Sequence, residues 1–162
     1  MEIIKVKSFH MIVVVASLVL VSCDPGPGAF RVGVRAASNH EEVAVAICDD
    51  ERVVSIEAYE ALGGGDSRTV WRVERTDNTI TTDSDVLRFT LFKVPQGFHE
   101  TITPSDVDGG RGVLLTFSDG HDAFISWEPE ELPSQGYLSG AIDGEATLEE
   151  LLSARDDYCD NQ

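Results

Sequence analysis

Apolar and polar residues alternate along most of the chain after residue 30 with a period of two, which is typical of β-strands that bury one face. The segments that show this alternation are residues 30–35, 53–59, 69–76, 86–94, 113–117, 123–127 and 137–142. Residues 43–48 are apolar on both faces, so they predict a central strand that ends at Cys48. Residues 53–59 also tolerate a helix, although their alternation favours a strand.

The end of the chain follows a helical period instead. Leu148, Leu151 and Leu152 fall on one helical face, which Cys159 shares. The segment T-L-E-E at 147–150 matches a capping box, in which a Thr and a Glu three residues apart bond each other's backbone amides. We therefore predict a short C-terminal helix whose leucines pack on the strands.

Seven or eight short strands separated by turns, followed by one helix, predict an all-β fold, namely an immunoglobulin-like β-sandwich. A small β-barrel is the alternative. Turn residues such as Gly63-Gly64-Gly65 and Ser118-Asp119-Gly120 separate the strands, and the second of these segments predicts a hairpin. The length suits one domain, residues 30–162.

The first 22 residues have the composition of a secretory signal peptide. Lys5 and Lys7 make the start weakly basic, and residues 11–21 form an uncharged apolar run. That run is too short for a helix that spans a bilayer, which needs about 20 residues. We therefore predict that residues 1–22 are removed from the mature protein.

The signal segment ends in Leu20-Val21-Ser22-Cys23, which resembles the bacterial lipobox. That resemblance implies cleavage before Cys23 and acylation of its thiol, because only a thiol forms the thioether that carries the lipid. Residues 23–29 then form a short tether rich in Pro and Gly. The expected location is the extracytoplasmic face of the cell membrane, held by the lipid anchor on Cys23.

Two cysteines remain besides Cys23, namely Cys48 and Cys159. An even pair in an exported domain predicts a disulfide, since oxidising compartments favour this bond. Such a bridge would tie the C-terminal helix to the central strand. Two buried free thiols, or two metal ligands, are the alternatives.

The chain is strongly acidic, with 29 Asp and Glu against 12 Lys and Arg and a net charge of −17. This balance argues against a nucleic-acid partner, which demands a basic face. It is compatible with a cationic partner or with bound cations. It is equally compatible with a soluble surface whose like charges repel one another.

The familiar catalytic motifs are missing from the sequence. Ser139 lacks the glycine that opens a G-x-S-x-G elbow, and no S-x-x-K segment occurs. His121 stands between Asp119 and Asp122 at a predicted turn, without the spacing of a catalytic set. The sequence therefore predicts a protein that is not an enzyme and holds no cofactor. A hydrolase would require His99 or His121 beside a nucleophile and an oxyanion donor.

Four aspartates beside predicted turns raise the hypothesis of a weak Ca²⁺ site, and these are Asp106, Asp108, Asp119 and Asp122. The segment around Asp106 lacks the run of ligands and the distal Glu of a calcium-binding loop. The alternative is turn chemistry, because Asp side chains accept hydrogen bonds from their own backbone.

The loop V-P-Q-G-F-H-E-T, residues 94–101, contains a candidate binding patch made by Phe98, His99 and Glu100. An exposed Phe98 would be an aromatic anchor for a partner. The alternative places Phe98 in the core, under the edge of the sandwich.

The lipobox, the Pro/Gly tether, the acidic β-rich domain, the V-P-x-G-F-x-E loop and the late Cys together resemble small actinobacterial lipoproteins. That resemblance implies an envelope location and brings no activity with it. We expect a non-catalytic, membrane-anchored binding or scaffolding module with an envelope protein or a cationic molecule as its partner. A carrier of a small ligand or metal ion, using acidic turns or a cleft between the sheets, is the alternative.

Overall fold

The computed structural model describes residues 31–76, 85–140 and 145–161, which form ten strands and one α-helix. The helix, α1, spans Leu148–Cys159, and a short 3-10 helix covers Pro129–Glu131. The strands are β1 (Val32–Ala37), β2 (His40–Ala46), β3 (Val53–Gly63), β4 (Asp66–Arg75), β5 (Val86–Thr90), β6 (Phe98–Ile102), β7 (Arg111–Phe117), β8 (Asp122–Trp127), β9 (Tyr137–Ser139) and β10 (Glu145–Ala146).

The strands form two antiparallel five-stranded sheets. Sheet A has the order β10-β9-β1-β2-β5, and sheet B has the order β6-β4-β3-β7-β8. Their inner faces share one hydrophobic core, to which sheet A contributes Val34 and Val43 and sheet B contributes Ile56, Trp71 and Leu115. The predicted class, a mainly β sandwich with a short C-terminal helix, is therefore confirmed.

The apolar pattern on both faces of β2 has a simple cause. Val43 and Val45 face the core between the sheets, whereas Ala44 lies on the outer face of sheet A. Leu151, the fully buried residue of α1, packs on that outer face. A second sheet on one side and a helix on the other bury both faces of the strand, as predicted for residues 43–48.

The predicted capping box opens α1. The hydroxyl of Thr147 accepts a hydrogen bond from the Glu150 amide at 3.2 Å, and the Glu150 carboxylate accepts one from the Thr147 amide at 2.7 Å. Gly33 in β1 allows the helix to approach the sheet. A Cβ at this position would lie 2.9 Å from Cδ1 of Leu151 and 2.7 Å from Cβ of Tyr137.

Two of the ten strands have no counterpart in the sequence pattern. β6 pairs with β4 at the edge of sheet B, and β10 pairs with β9 at the edge of sheet A. Only the first residue of β6 is buried, and β10 has two residues. Short edge strands with so few buried positions produce no measurable period, which explains why the sequence predicts seven or eight strands.

The sandwich has two ends that differ in character. The disulfide end is formed by the beginning of β1, by residues 48–53 and by the turn at residues 118–121. The loop end is formed by the turns at residues 38–39, 63–65 and 91–93 and by the 3-10 helix. Because β1 runs from the disulfide end to the loop end, these two regions are separated by the length of a strand.

None of the helices in the described residues has the length and the hydropathy needed to cross a membrane. The predicted signal peptide (residues 1–22), the acylated Cys23 and the tether (residues 23–29) lie outside the described residues.

Candidate functional site

The loop end carries an open cleft of about 400 Å³ between the two sheets. One wall comes from the turn between β1 and β2 and from the segment that follows β5. The other wall comes from the beginning of β7 and from the chain around the 3-10 helix. A cleft of this volume is in the size range of sites for small ligands.

A carboxylate shared by both sheets forms the polar part of this loop-end cleft. Oε1 of Glu41 in β2 accepts hydrogen bonds from Nη1 of Arg111 at 2.8 Å and from the indole of Trp127 at 3.3 Å. The Glu41 side chain is largely buried, whereas that of Arg111 is one-quarter exposed. The Nε of Arg111 is buried and has no hydrogen-bond partner among the described residues. The pair therefore fixes the two sheets relative to each other and presents a cation at the cleft.

Backbone strain is concentrated at the same cleft. Ser38 and Phe92 have φ angles of 58° and 62°, and they are the non-glycine residues with positive φ in the described part of the chain. Both line the cleft. Each left-handed residue of this type costs about 1–2 kcal/mol. Such strain clusters at binding and active sites, so the backbone geometry marks the loop-end cleft as the candidate functional site.

Phe92 is held in this conformation by packing. Its ring meets the ring of Trp71 edge to face, with centroids 6.0 Å apart, and Trp71 is completely buried. Edge-to-face contacts of this kind contribute about 0.5–1.5 kcal/mol beyond burial. The buried indole therefore offsets part of the backbone strain and fixes one wall of the cleft.

The disulfide end holds a second polar cluster, centred on Arg31. The guanidinium of Arg31 is fully buried and forms a bidentate ion pair with Glu51, in which Nη2 lies 3.0 Å from Oε1 and Nη1 contacts Oε2. Nη1 also lies 3.7 Å from Sγ of Cys48. Bidentate pairs between a guanidinium and a carboxylate are among the strongest charge-assisted hydrogen bonds.

Two aromatic rings enclose the same guanidinium. Its central carbon lies 4.2 Å from the ring centroid of Phe117 and 4.2 Å from that of Tyr158. The predicted disulfide between Cys48 and Cys159 is confirmed, and their Cα atoms are 6.0 Å apart. The beginning of β1, the end of β7 and the end of α1 therefore meet at Arg31.

His121 lies at the edge of this cluster. Its Nδ1 is 3.0 Å from Oδ2 of Asp119 and 3.1 Å from the hydroxyl of Tyr158. Burial raises the pKa of Asp119, but the hydrogen bond from the His121 amide and the charge of the His121 ring outweigh this effect, so the pKa lies below its ordinary value. Within the described residues, neither His121 nor His99 is hydrogen-bonded to a serine or cysteine nucleophile.

The hypothesis that four aspartates share one Ca²⁺ site is wrong. Asp106 and Asp108 precede β7, whereas Asp119 and Asp122 follow it. The seven residues of β7 separate the two pairs by about 23 Å at 3.3 Å per residue. The described ranges contain no group of three or more His, Cys, Asp or Glu side chains that could hold a metal ion.

Hydrogen bonds at two of these aspartates fix the connections in which they lie. The amide of Asp108 donates to the carboxylate of Glu60 at 3.0 Å, and Oδ1 of Asp119 accepts from the amide of His121 at 2.9 Å. The Asp119 bond is an Asx-type turn, in which the side chain accepts from an amide two residues on, whereas the Asp108 bond ties its connection to β3. The two connections belong to opposite ends of the sandwich.

The predicted binding patch of Phe98, His99 and Glu100 lies in β6. Phe98 is only 8% exposed and belongs to the core, so it is not an exposed anchor, and the alternative placement under the sandwich edge is correct. His99 and Glu100 are exposed, and the Glu100 carboxylate accepts a hydrogen bond from the indole of Trp71 at 3.2 Å. The sequence reveals neither the Arg31 cluster nor the loop-end cleft, because the residues of each are distant along the chain.

No protein-family model and no curated protein matches this sequence. Solved structures similar to it include a hypothetical protein from Pyrococcus horikoshii, with 16% identity over 60% of this chain and 83% of the other, at a TM-score of 0.32. They also include a variant of superoxide reductase (neelaredoxin) from Archaeoglobus fulgidus, with 14% identity over 64% of this chain and 86% of the other, again at a TM-score of 0.32.

The prediction that this chain is not an enzyme is corrected by the second of these structures. Superoxide reductase is an enzyme, so the lack of catalytic sequence motifs is not sufficient to exclude an enzyme. A TM-score of 0.32 carries no argument about which activity this chain has.

Proposed function

We propose that this protein is a lipoprotein of the bacterial envelope, anchored through Cys23, whose sandwich domain binds a ligand or a partner at its loop end. One observation carries the proposal. Arg31, the first described residue, lies at the disulfide end, whereas the loop-end cleft lies at the opposite end of the sandwich.

The distance along the chain sets the orientation of the anchored domain. Eight residue steps separate Cys23 from Arg31, so the intervening chain reaches at most about 26 Å at 3.3 Å per residue. A lipid on Cys23 therefore keeps the disulfide end near the bilayer. The loop end, with its cleft, then faces away from the membrane and is accessible to molecules outside the cell.

The disulfide supports the extracytoplasmic location. Bonds of this kind persist in oxidising compartments and are rare in the cytosol. Cys48 and Cys159 are 111 residues apart in the sequence. Their bridge joins the last residue of α1 to Cys48, which lies two residues after the end of β2. The bridge stabilises the fold without metal or cofactor, which suits a small exported domain.

The packing of the interior favours a surface binding module over a carrier with an internal pocket. Side chains from both sheets fill the space between them, including Val43 and Val45 of sheet A and Trp71 and Leu115 of sheet B, all fully buried. The loop-end cleft is open, and its walls are fixed by the Glu41–Arg111 pair. A ligand there would be bound at the rim of the sandwich rather than enclosed by it.

Anchoring is tested by expressing the full chain and its Cys23→Ala variant in a bacterium and fractionating the cells. We expect the unchanged chain in the membrane fraction, with mass spectrometry showing a mature N-terminus at an acylated Cys23. We expect the variant to lose the lipid mass. An unmodified thiol at Cys23 in the membrane-derived protein would overturn the anchoring proposal.

Binding at the loop end is tested with a photo-crosslinking residue placed at position 38 in the anchored protein. Position 118, an exposed turn residue at the disulfide end, provides the matched control. We expect a specific adduct from position 38 that is absent from position 118. Adducts of equal yield from both positions would refute the assignment of the loop end as the binding surface.

A further inference from the structure

The described basic residues of this acidic chain differ in whether they are paired with carboxylates. Most of the described arginines form ion pairs with carboxylates, namely Arg31, Arg35, Arg68, Arg72, Arg111 and Arg155. By contrast, Arg75, Arg88 and Lys93 form no ion pair with any residue in the described ranges, and all three line one groove. In a chain with a net charge of −17, the clustering of three unpaired cations needs an explanation.

This edge groove has a volume of about 350 Å³. It lies between β5, an edge strand of sheet A, and the segment 93–98 that leads into β6, an edge strand of sheet B. Phe89 and Phe98, both buried, form its apolar base. No Asp or Glu is among the described residues that line it. Arg88 pairs with Ala44 and so lies toward the outer side of sheet A, at the rim of the groove, and the edge groove therefore combines positive charge along its walls and rim with an aromatic base.

Arg75 places a half-buried guanidinium at the wall of the edge groove. Its Nε donates to the carbonyl oxygen of Val53 at 2.7 Å, and its guanidinium lies 4.8 Å above the ring centroid of Phe98. Its Nη2 is buried and has no acceptor among the described residues. Desolvation, followed by the charge of Arg52, lowers the pKa of Arg75. The charge of this guanidinium lies at the wall of the groove, where no carboxylate among the described lining residues neutralises it, so an anion there would be attracted to it.

The other two cations are available from solvent. Arg88 and Lys93 are exposed and project from β5 and from the turn that follows it. Because the rest of the surface is acidic, anions are repelled from most of the molecule and attracted only where positive charge is uncompensated. An apolar base adds affinity for a ligand that carries hydrophobic atoms next to its charge.

We propose that the edge groove is a binding site for a small amphiphilic anion, that is, a carboxylate or phosphate group on an apolar ring or chain. The anionic group lies among Arg75, Arg88 and Lys93, and the apolar part packs on Phe89 and Phe98. This site is separate from the loop-end cleft and does not depend on the anchor at Cys23. An anionic ligand at this groove differs from the cationic partner with which the net charge is compatible.

The test is a titration in which naphthyl phosphate is added to the full-length protein in a non-ionic detergent. Chemical shifts in the amide NMR spectrum report binding. We expect saturable shifts at residues 87–89 and 94–98, with none at Ser38. The double variant Arg88→Gln/Lys93→Gln should bind roughly tenfold more weakly or worse, since each charge-assisted hydrogen bond contributes substantially. The control is Arg68→Gln, which also replaces a cation by a neutral side chain. Arg68 is exposed and lies outside the edge groove.

Matched probes separate the contribution of charge from that of hydrophobicity. Naphthol carries the same rings without the anion, and inorganic phosphate carries the anion without the rings, so we expect both to bind at least about tenfold more weakly than naphthyl phosphate. The proposal is overturned if naphthyl phosphate causes no saturable shift at millimolar concentration. It is also overturned if Arg68→Gln weakens binding as much as the double variant, or if naphthol binds equally well.

Discussion

Arg31 and Glu51 form a bidentate ion pair that is buried at the disulfide end, between the rings of Phe117 and Tyr158. The pair joins the first described residue of the chain to the connection between the two sheets. Since Tyr158 belongs to α1, the same pair also fixes the C-terminal helix. The two hydrogen bonds to Glu51 and the two rings stabilise the buried guanidinium, because an isolated buried charge is strongly unfavourable.

Substitution of Glu51 by Gln should destabilise the protein strongly. The change leaves the Arg31 guanidinium buried without a counter-charge, which costs about 3–5 kcal/mol. Equilibrium unfolding in urea measures the difference. The matched control is Glu74→Gln at pH 7, because Glu74 pairs with Arg72 and the two side chains are 42% and 38% exposed. Pairs with an exposed partner contribute roughly 0–1 kcal/mol, so equal losses in the two variants would contradict the importance of burial at Arg31.

Removal of the disulfide should lower the free energy of unfolding by about 4–5 kcal/mol, because the bridge closes a loop of 111 residues. The double variant Cys48→Ser/Cys159→Ser tests this in denaturant titrations under non-reducing conditions. The unchanged protein, measured with and without reductant, is the control. Stability that is the same in all samples would show that the bridge does not constrain the unfolded chain.

Gly33→Ala should destabilise the contact between α1 and sheet A. The new Cβ would lie 2.9 Å from Cδ1 of Leu151 and 2.7 Å from Cβ of Tyr137, and overpacking of this kind costs about 1–3 kcal/mol. The double variant Gly33→Ala/Leu151→Ala should be less unstable than the sum of its single variants, because the cavity left by Leu151 accepts the methyl group. Strict additivity in urea unfolding would contradict this contact.

Ser38→Gly should raise stability, since Ser38 has a φ of 58° and glycine adopts this region without steric cost. The expected gain is about 1 kcal/mol, measured as a higher denaturation midpoint with an unchanged slope. Ser67→Gly, at the second residue of β4 and without a positive φ, is the control, and it should destabilise by about 0.5–1 kcal/mol. A loss of stability in Ser38→Gly would show that the Ser38 side chain stabilises the folded state by more than its backbone strain destabilises it.

Acid should destabilise the protein partly through Glu60. The hydrogen bond from the Asp108 amide, together with that from Arg68, lowers the pKa of Glu60 below its ordinary value of 4.5. A lowered pKa in the folded state means that Glu60 contributes stability above pH 4.5, which is lost as the pH falls through the folded value.

The variant Glu60→Gln has no such group to protonate. Its free energy of unfolding should therefore fall less steeply than that of the unchanged protein between about pH 5 and pH 3. Urea titrations at a series of pH values measure this slope, and Glu130→Gln, at an exposed position, is the control. Parallel curves for the unchanged protein and for Glu60→Gln would show that Glu60 is not responsible.

Local patterns in the sequence predict the elements that bury a regular set of side chains. The alternation in residues 113–117 becomes β7, and the double-sided apolar run at 43–48 covers most of β2 and its end at Cys48. The capping box of Thr147 and Glu150 forms as predicted. These features depend on residues that are only a few positions apart. The regular period of a strand or a helix fixes the relative positions of such residues. β6 escapes such patterns because its outer positions are exposed.

The functional geometry depends on contacts between segments that are far apart in sequence. Glu41 and Arg111 are 70 residues apart and meet at the loop-end cleft, and Arg75 and Lys93 come together only because the edges of two sheets lie side by side. The same topology separates Asp106 from Asp119, which lie only 13 positions apart along the chain, by the length of β7.

The sequence alone therefore determined the class of fold, the helix and its cap, and the pair of cysteines available for a bridge. The tertiary structure alone decided which charges are buried, which are paired and which are left facing a groove. The physical reason is that periodicity reports which face of an element is buried, whereas the identity of the partner across that face depends on strand order and register.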